Sequence, residues 1–378
     1  MLRFVPALLL VAAPAFAQAT GLLSALSDRA RRGEFGNVDV LYVMKDGKVL
    51  LDERFTRDYR AITRGKQSPI GCGWECPDSS WMHEFNYLHP DWHPWFRGGA
   101  MHTLQSVTKS VTATLFGIAL RRGEIKSMDA PLLSFFSRYD LSAVDPRLQK
   151  ATLTDLLTMR SGIEWHENDR PLDSTNTTLQ LEQSKDWIRF TLAQPMDAEP
   201  GTKWVYNSGG SALMAEIIRS VSGKHAHDYA REHLFTPLGI TNYYWKKTPT
   251  GHPDTEGGLF LAPEDLAKIG QLYLDDGVWK GKRILPEGWA KQATARIVDR
   301  TGTQTSPGYG YQWWRYDRDG VEIWAGNGFG GQFLVVIPRY RVVGVTNSWN
   351  VPGLAPPGTS GILNPFISAL IEIARGLR

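Results

Sequence analysis

The sequence has few cysteines, no block of charge of one sign and no long apolar run. Its net charge of +3 is spread over 378 residues, which argues against nucleic acid or an anionic membrane surface as a partner and favours a small molecule. No segment after the N-terminus approaches the roughly 20 apolar residues of a membrane-spanning helix. We therefore expect no stable membrane anchor, and the sequence leaves the oligomeric state open.

The two cysteines, Cys72 and Cys76, lie close together in "GCGWEC". Neither their spacing nor their neighbours complete a four-ligand zinc set. In an oxidising compartment such a pair can form a small local disulfide, which we favour over the alternative of two thiols without a role.

The N-terminus has the pattern of a secretory signal peptide. Arg3 precedes an apolar run over residues 4–13, and Ala15-Phe16-Ala17 supplies the small residues that a signal peptidase reads. We expect residues 1–17 to be removed by cleavage before Gln18. No cysteine follows that point to carry a lipid, so the mature protein is predicted to be periplasmic or secreted.

Hydrophobic patterns predict strands near both ends of the chain and helices between them. Alternation on either side of Asp46-Gly47 predicts a hairpin, and "VEIWAG", "GQFLVVIP" and "RVVGVTNSW" read as strands before a last helix over residues 364–377. The capping-box spacing of Thr152 and Asp155 begins one of the central helices. We predict an α+β fold whose antiparallel sheet comes from both termini and is flanked by helices. The sheet domain would comprise residues 18–120 and 262–378, with a mostly helical domain over residues 121–261 inserted.

Two segments lack clear periodicity and are predicted to be loops beside a cleft. The first covers residues 62–101 and the second runs from Asp169 to Gln183. The first segment is rich in aromatic residues that either line an apolar side of the cleft or pack a small core under the loop: Trp74, Trp81, Phe85, Tyr87, Trp92, Trp95 and Phe96.

The stretch "LQSVTKSVTATLFGIAL" places a serine and a lysine three residues apart at the start of an amphipathic helix. Residues three apart share a helix face, so the amine of Lys109 can reach the hydroxyl of Ser106. Burial would lower the pKa of Lys109 and let it serve as a base. Taken alone, the motif is weak evidence, because a serine and a lysine at this spacing are far more often a helix cap followed by a surface lysine.

The other motifs make the sequence resemble the serine beta-lactamase-related hydrolases, a family that includes class C beta-lactamases, D-alanyl-D-alanine peptidases, esterases and nylon-oligomer hydrolases. The resemblance extends over nearly all of the mature chain. It rests on Ser106-x-x-Lys109, "LTDLLTMRSGIEW", "PGTKWVYNSGGSALMAEIIRSVSGK", "GGLFLAPEDLAKIGQLYLDDGVWKGKRILP", "YGYQWW" and "GNGFGGQFLVVIP". It implies a beta-lactamase/transpeptidase-like fold with the active site between its two domains.

The second motif of that family is found here as Tyr206-Asn207-Ser208. The resemblance implies that Tyr206 takes the proton of Ser106 and returns it to the leaving group, and that Ser208 contacts substrate at the position where many relatives carry Asn. A lysine ammonium would stabilise the phenolate and lower the pKa of Tyr206.

The third motif departs from the family pattern. Relatives that hydrolyse beta-lactams carry Lys-Thr-Gly or His-Thr-Gly, whereas "EIWAGNGFGGQ" places Trp324 and Ala325 roughly at the first two positions. The resemblance implies that the N–H groups of Ser106 and Asn327 form an oxyanion hole, with Gly326 and Gly328 beside the substrate. The glycine-rich run can be aligned in more than one register.

These observations together predict an exported serine hydrolase that cleaves an ester or amide through a Ser106 acyl-enzyme, with no metal or organic cofactor. Loss of the third-motif cation favours uncharged esters and amides over beta-lactams. The alternatives are a beta-lactamase or D-alanyl-D-alanine peptidase proper, and an envelope sensor or binding protein that releases its acyl group slowly. Histidines at 225 and 227, and at 89 and 93, do not complete a metal site.

Overall fold

In the computed structural model, the described residues are 12–64, 93, 95, 98–300, 308–351 and 362–377. One antiparallel sheet of eight strands dominates this part of the chain, in the order β2-β1-β13-β12-β11-β10-β9-β8. A three-stranded sheet has the order β3-β5-β4, and β6 pairs with β7. The strands are β1 (Val38–Lys45), β2 (Lys48–Arg54), β3 (His102–Thr103), β4 (Tyr243–Trp245), β5 (Leu259–Leu261), β6 (Val278–Trp279), β7 (Lys282–Arg283), β8 (Val298–Asp299), β9 (Gly308–Tyr309), β10 (Trp314–Arg318), β11 (Val321–Gly328), β12 (Gln332–Ile337) and β13 (Val342–Ser348).

Helices cover both faces of the large sheet and fill the middle of the chain. They are α1 (Ala12–Arg31), α2 (Tyr59–Thr63), α3 (Val107–Arg121), α4 (Leu153–Leu157), α5 (Thr177–Gln183), α6 (Trp187–Leu192), α7 (Ser208–Ser222), α8 (Ala226–Ala230), α9 (Thr236–Leu238), α10 (Pro263–Leu274), α11 (Trp289–Ala293) and α12 (Leu363–Gly376). The predicted α+β fold, with an antiparallel sheet formed from both termini, is confirmed. Nothing in the structure tests the predicted domain boundaries.

The sheet separates two hydrophobic cores because successive strand residues point to opposite faces. On β11, Ile323 and Ala325 pack in the core shared with α1 and α12, whereas Trp324 packs in the larger core shared with α3 and α10. The β1–β2 hairpin turns at Asp46-Gly47 as predicted, with Lys45 opposite Lys48 and positive φ angles at both turn residues. The direction of each side chain along the strands therefore sets which residues face α3.

The N-terminal helix α1 packs against the C-terminal helix α12 and buries Ala19, Leu23, Leu26 and Ala30. The predicted cleavage point before Gln18 lies within this helix, so the buried side chains named here all belong to the predicted mature chain. Export itself stays a prediction. In the described parts of the chain, we find no helix with the length and apolar character needed to cross a membrane.

Several predicted loop features have a different outcome. The segment from Asp169 to Gln183 is only partly a loop, because the side chain of Asn176 caps α5, which extends to Gln183. Both cysteines and all the aromatic residues predicted beside the cleft except Trp95 lie outside the described residues. Trp95 lies next to His102, with 5.9 Å between their ring centroids.

Candidate active site

Ser106 and Lys109 lie one turn apart at the beginning of α3. Ser106 is the N-cap residue, but its side chain makes no capping hydrogen bond, so its hydroxyl does not serve as a helix cap. The Nζ atom of Lys109 donates to Ser106 Oγ over 2.8 Å. Lys109 is only 1 % exposed, so it is not a surface lysine, and the three-residue spacing does bring amine and hydroxyl into contact.

The chain immediately before Ser106 is held in an unusual conformation. Gln105 has a φ of +48°, a region that residues other than glycine seldom occupy. Gly328 lies directly against this turn, since a Cβ atom there would come within 2.4 Å of the Leu104 carbonyl oxygen. Gly326 is similarly close to α3, with a Cβ atom meeting Val107 Cγ1 at 2.9 Å. The third motif is thus packed against the helix that carries the nucleophile candidate.

Tyr206 lies beside Lys109 and Ser106. The Nζ atom of Lys109 is 5.3 Å from the centroid of the Tyr206 ring. Burial raises the pKa of the Tyr206 phenol above its ordinary value; Lys109 and a hydrogen bond with Ser106 oppose this shift, and Glu167 adds to it. The predicted lowering of the Tyr206 pKa is therefore wrong in its net direction, although Lys109 does act in the predicted sense.

Glu256 is a site residue that the sequence analysis missed. Its Oε2 atom is 3.0 Å from Lys109 Nζ, and its backbone carbonyl oxygen accepts from the same amine over 2.7 Å. Asp254 Oδ1 fixes this loop by accepting from the N–H groups of Glu256 and Gly257. Lys109 Nζ is thus shared between Ser106 Oγ and a buried carboxylate.

The protonation state of Lys109 differs from the prediction. Burial disfavours its ammonium form, but Tyr206, Glu256 and Glu167 outweigh burial and raise the pKa of Lys109 above the ordinary lysine value. The prediction of a lowered pKa is wrong because it considered burial without the surrounding acidic groups. Lys109 is therefore an ammonium at neutral pH.

A second missed carboxylate, Glu167, lies at the N-terminus of α7. Its Oε1 atom accepts from Ser208 Oγ over 2.9 Å, and its Oε2 atom accepts from the Ser208 N–H over 3.0 Å and from Trp165 Nε1 over 3.1 Å. Burial, the largest influence, raises the pKa of Glu167, and Lys109 opposes the shift. The hydroxyl of Ser208, predicted to contact substrate, is instead hydrogen-bonded to this carboxylate.

An aromatic surface adjoins Tyr206. The Trp314 ring stacks on Tyr206 with 5.9 Å between centroids and 18° between planes, and Trp204 lies 6.3 Å from Tyr206. Trp314 and Trp204 are both half-buried. Trp204 and Trp314 thus form an aromatic side of the site. The sequence analysis had predicted such a side from other residues, in the segment before Ser106.

The third motif supplies no cation. Trp324 occupies the predicted cation position, is 8 % exposed and donates from Nε1 to Glu322 Oε1 over 2.6 Å. Ala325 faces the opposite side of the sheet, in the core shared with α12. Asn327 is partly exposed on β11, opposite Phe333 of β12. Its assignment to the oxyanion hole stays a prediction.

Metal ligation finds no support in the parts of the chain that are described, where no group of three or more histidine, cysteine or acidic side chains could hold an ion. His225 and His227 are half-buried with their rings 5.8 Å apart, and burial lowers the pKa of both. His89 lies outside the described residues.

The family model described as beta-lactamase matches residues 38–356, and the chain therefore belongs to the beta-lactamase family. A 6-aminohexanoate-dimer hydrolase of Paenarthrobacter ureafaciens is 25% identical over 280 residues, covering 66% of this chain and 67% of that protein. Penicillin-binding protein 4 of Amycolatopsis lactamdurans is 28% identical over 278 residues, covering 63% of this chain and 69% of that protein.

Solved structures share the fold at lower identity. The penicillin-binding protein from Bacillus halodurans has a TM-score of 0.61 at 17% identity, covering 92% of this chain and 99% of that one. EstCE1, a hydrolase with promiscuous acyltransferase activity, has a TM-score of 0.64 at 13% identity, covering 97% of this chain and 98% of that one. These likenesses establish the beta-lactamase/transpeptidase-like fold.

Proposed function

We propose that this protein hydrolyses an ester or amide bond through an acyl-enzyme on Ser106. The observation that carries the proposal is the 2.8 Å contact between Lys109 Nζ and a Ser106 hydroxyl that caps no helix. A serine hydroxyl needs a neighbouring base to act as a nucleophile at neutral pH. Tyr206, which is in contact with both residues, provides one.

In the proposed reaction, Ser106 Oγ attacks the substrate carbonyl carbon while its proton passes to the Tyr206 phenolate. Lys109 keeps its proton throughout, and its positive charge stabilises that phenolate. The N–H groups of Ser106 and Asn327 would hold the oxyanion. Collapse breaks the bond to the leaving group, which receives the proton from Tyr206. Water then attacks the acyl carbon and gives a proton to Tyr206, and the bond to Ser106 Oγ breaks as that oxygen takes the proton back and the acid is released.

The missing third-motif cation favours substrates without a carboxylate beside the scissile bond. Trp324 is apolar and largely buried at this position, so it cannot form an ion pair with a substrate carboxylate. Two relatives have names that fit amide or ester cleavage: the 6-aminohexanoate-dimer hydrolase, and a lovastatin esterase of Penicillium rubens that is 24% identical over 46% of both chains. We further propose that the enzyme acts outside the cytoplasm after removal of residues 1–17.

Hydrolysis of a short-chain p-nitrophenyl ester tests the proposal in wild type, Ser106→Ala and Ser134→Ala. Ser134 is a surface serine that donates to the Pro131 carbonyl oxygen, so its alanine variant is a matched control for removing a hydroxyl. We expect Ser106→Ala to lose turnover and Ser134→Ala to retain it. Turnover by Ser106→Ala at the wild-type rate would rule out Ser106 as the nucleophile.

A further inference from the structure

Gln312 is a buried glutamine in the loop between β9 and β10, on the segment that leads to Trp314. It has a φ of +59°, in the left-handed region that glycine occupies far more readily than other residues. Both polar groups of its backbone and both of its side-chain amide form hydrogen bonds to other parts of the chain. A residue that is held in such a backbone conformation has contacts that outweigh the strain.

These hydrogen bonds join three helices. The Gln312 carbonyl oxygen accepts from Ser110 Oγ of α3 over 2.6 Å. The backbone N–H and the Nε2 atom of Gln312 both donate to the carbonyl oxygen of Leu157, at the end of α4, over 3.0 Å and 2.9 Å. Its Oε1 atom accepts from Ser211 Oγ of α7 over 2.9 Å. One residue thus connects α3 with α4 and α7.

Two of these contacts lie next to groups of the candidate site. Ser110 directly follows Lys109 on α3. Ser211 lies one turn into α7, where its N–H donates to the carbonyl oxygen of Asn207, the residue after Tyr206. The loop between β9 and β10 is therefore bonded to α3 beside Lys109 and to α7 within a turn of Tyr206.

The contact with α4 supports Tyr206 from a second side. Met159 follows the end of α4, and its carbonyl oxygen accepts from the Val205 N–H over 3.0 Å. The Sδ atom of Met159 accepts from the Asn207 N–H over 3.3 Å. The backbone on both sides of Tyr206 is thus bonded to Met159, and Gln312 holds the chain just before Met159 through its bonds to the end of α4.

We propose that Gln312 is a positioning residue that sets the place of the Tyr206 phenol relative to Lys109 and Ser106. This inference rests on the proposed function. A base must lie within hydrogen-bond reach of the proton that it takes, and a misplacement of about 1 Å can lower a rate about 100-fold. Tyr206 and Lys109 come from different parts of the chain, so their separation depends on how α3, α4 and α7 are held together.

Gln312→Met tests the inference, because methionine keeps a similar length but removes the amide. Gln271→Met is the matched control, since Gln271 is also buried and donates from Nε2 to Asp275 Oδ2 over 2.8 Å on α10, outside the site. Urea denaturation shows whether both variants remain folded. Only Gln312→Met should lose kcat for a short-chain p-nitrophenyl ester, by about 10- to 100-fold.

The KM of Gln312→Met should stay within about twofold of wild type, because acylation and deacylation both use Tyr206 and slow together. A kcat for Gln312→Met within about twofold of wild type would overturn the inference. An equal loss of kcat in Gln271→Met would overturn it too, because the effect would then follow from removing any buried amide.

A double-mutant cycle with Ser211→Ala shows whether this contact acts through Gln312. Removing the Ser211 hydroxyl should lower kcat about fivefold in wild type, but by less than about twofold in Gln312→Met, where its partner is already gone. Equal losses in the two backgrounds would contradict the inference. Ser27→Ala, which removes a buried hydroxyl bonded within α1, should keep the wild-type kcat.

The single variant Ser211→Ala tests the inference even if Gln312→Met does not fold, because an unchanged kcat in Ser211→Ala would overturn it. The result for Ser106→Ala separates the two proposals. If Ser106→Ala is inactive but the Gln312 and Ser211 variants keep the wild-type kcat, only the assignment of Gln312 fails. Wild-type turnover by Ser106→Ala would instead overturn both.

Discussion

The candidate site has a local half, formed by Ser106 and Lys109, and a distant half, formed by Glu256 and Glu167. The sequence specifies these two halves in different ways. Ser106 and Lys109 share one helix, and their three-residue spacing brings Nζ within 2.8 Å of Oγ. Glu256 comes from a loop 147 positions beyond Lys109, and Glu167 from the segment before α5. The local half determines which atoms meet, whereas the distant half determines their protonation. A motif therefore identifies a candidate nucleophile without defining the charge of its neighbours.

Removing Lys109 should break both halves at once. In Lys109→Met, we expect hydrolysis to fall by about 10³-fold or more, because the cation that assists proton transfer is gone. The variant should also lose about 3–5 kcal/mol of unfolding free energy, because Glu256 is left as a buried, unpaired carboxylate. Ester hydrolysis and urea denaturation at pH 7 measure the two effects.

The double variant Lys109→Met/Glu256→Gln separates these effects. Neutralising Glu256 should restore most of the lost stability and none of the turnover. If Lys109→Met alone is as stable as wild type, the ion pair between Lys109 and Glu256 does not contribute the unfolding free energy that we predict. Recovery of turnover in the double variant would contradict a role for Lys109 in proton transfer.

The pH dependence of kcat/KM sharpens the comparison further. Because the pKa of Tyr206 is raised, its phenolate is scarce at neutral pH, and kcat/KM should rise about tenfold per pH unit through the alkaline range and still be rising at the ordinary phenol pKa of about 10. Tyr206→Phe should abolish this rising limb. A profile independent of pH between 6 and 9 in wild type would argue against the phenolate as the base.

Glu256→Gln should move the same limb by a smaller amount. The negative charge of Glu256 raises the pKa of both Tyr206 and Lys109. Its removal should therefore shift the limb towards lower pH in initial-rate profiles, with Glu264→Gln as a control because Glu264 is a half-exposed partner of Arg54. An unchanged midpoint would show that the distant half does not tune the local half.

Features fixed by neighbouring residues could be predicted from the sequence. The Asp46-Gly47 turn, the capping box of Thr152 and Asp155, and the helices α3 and α7 all rest on contacts within a few positions. The large sheet was also predictable, since the continuous apolar runs of β12 and β13 are typical of strands that are buried on both faces. The register of the third motif was not, because it depends on how closely Gly326 and Gly328 approach α3.

The acidic groups were missed because no local signal marks them. Glu167 and Glu256 are single carboxylates in loops, and only the folded chain brings them to Lys109. Glu182 shows the same effect, since burial, followed by the influence of Glu256, raises its pKa to about 8. The predicted lowering of the Lys109 pKa failed for this reason: burial could be inferred from helix periodicity, but the compensating charges could not.

The most direct test of the central claim is intact-mass spectrometry of the enzyme quenched during turnover of a short-chain p-nitrophenyl ester, followed by peptide mapping. Our account predicts a transient mass increase equal to the acyl group, located on the peptide that contains Ser106 and absent from Ser106→Ala. An adduct that persists after substrate is exhausted would indicate a slowly deacylating binding protein. Continued turnover with no adduct, or with an adduct on another residue, would contradict the assignment of Ser106 as the nucleophile.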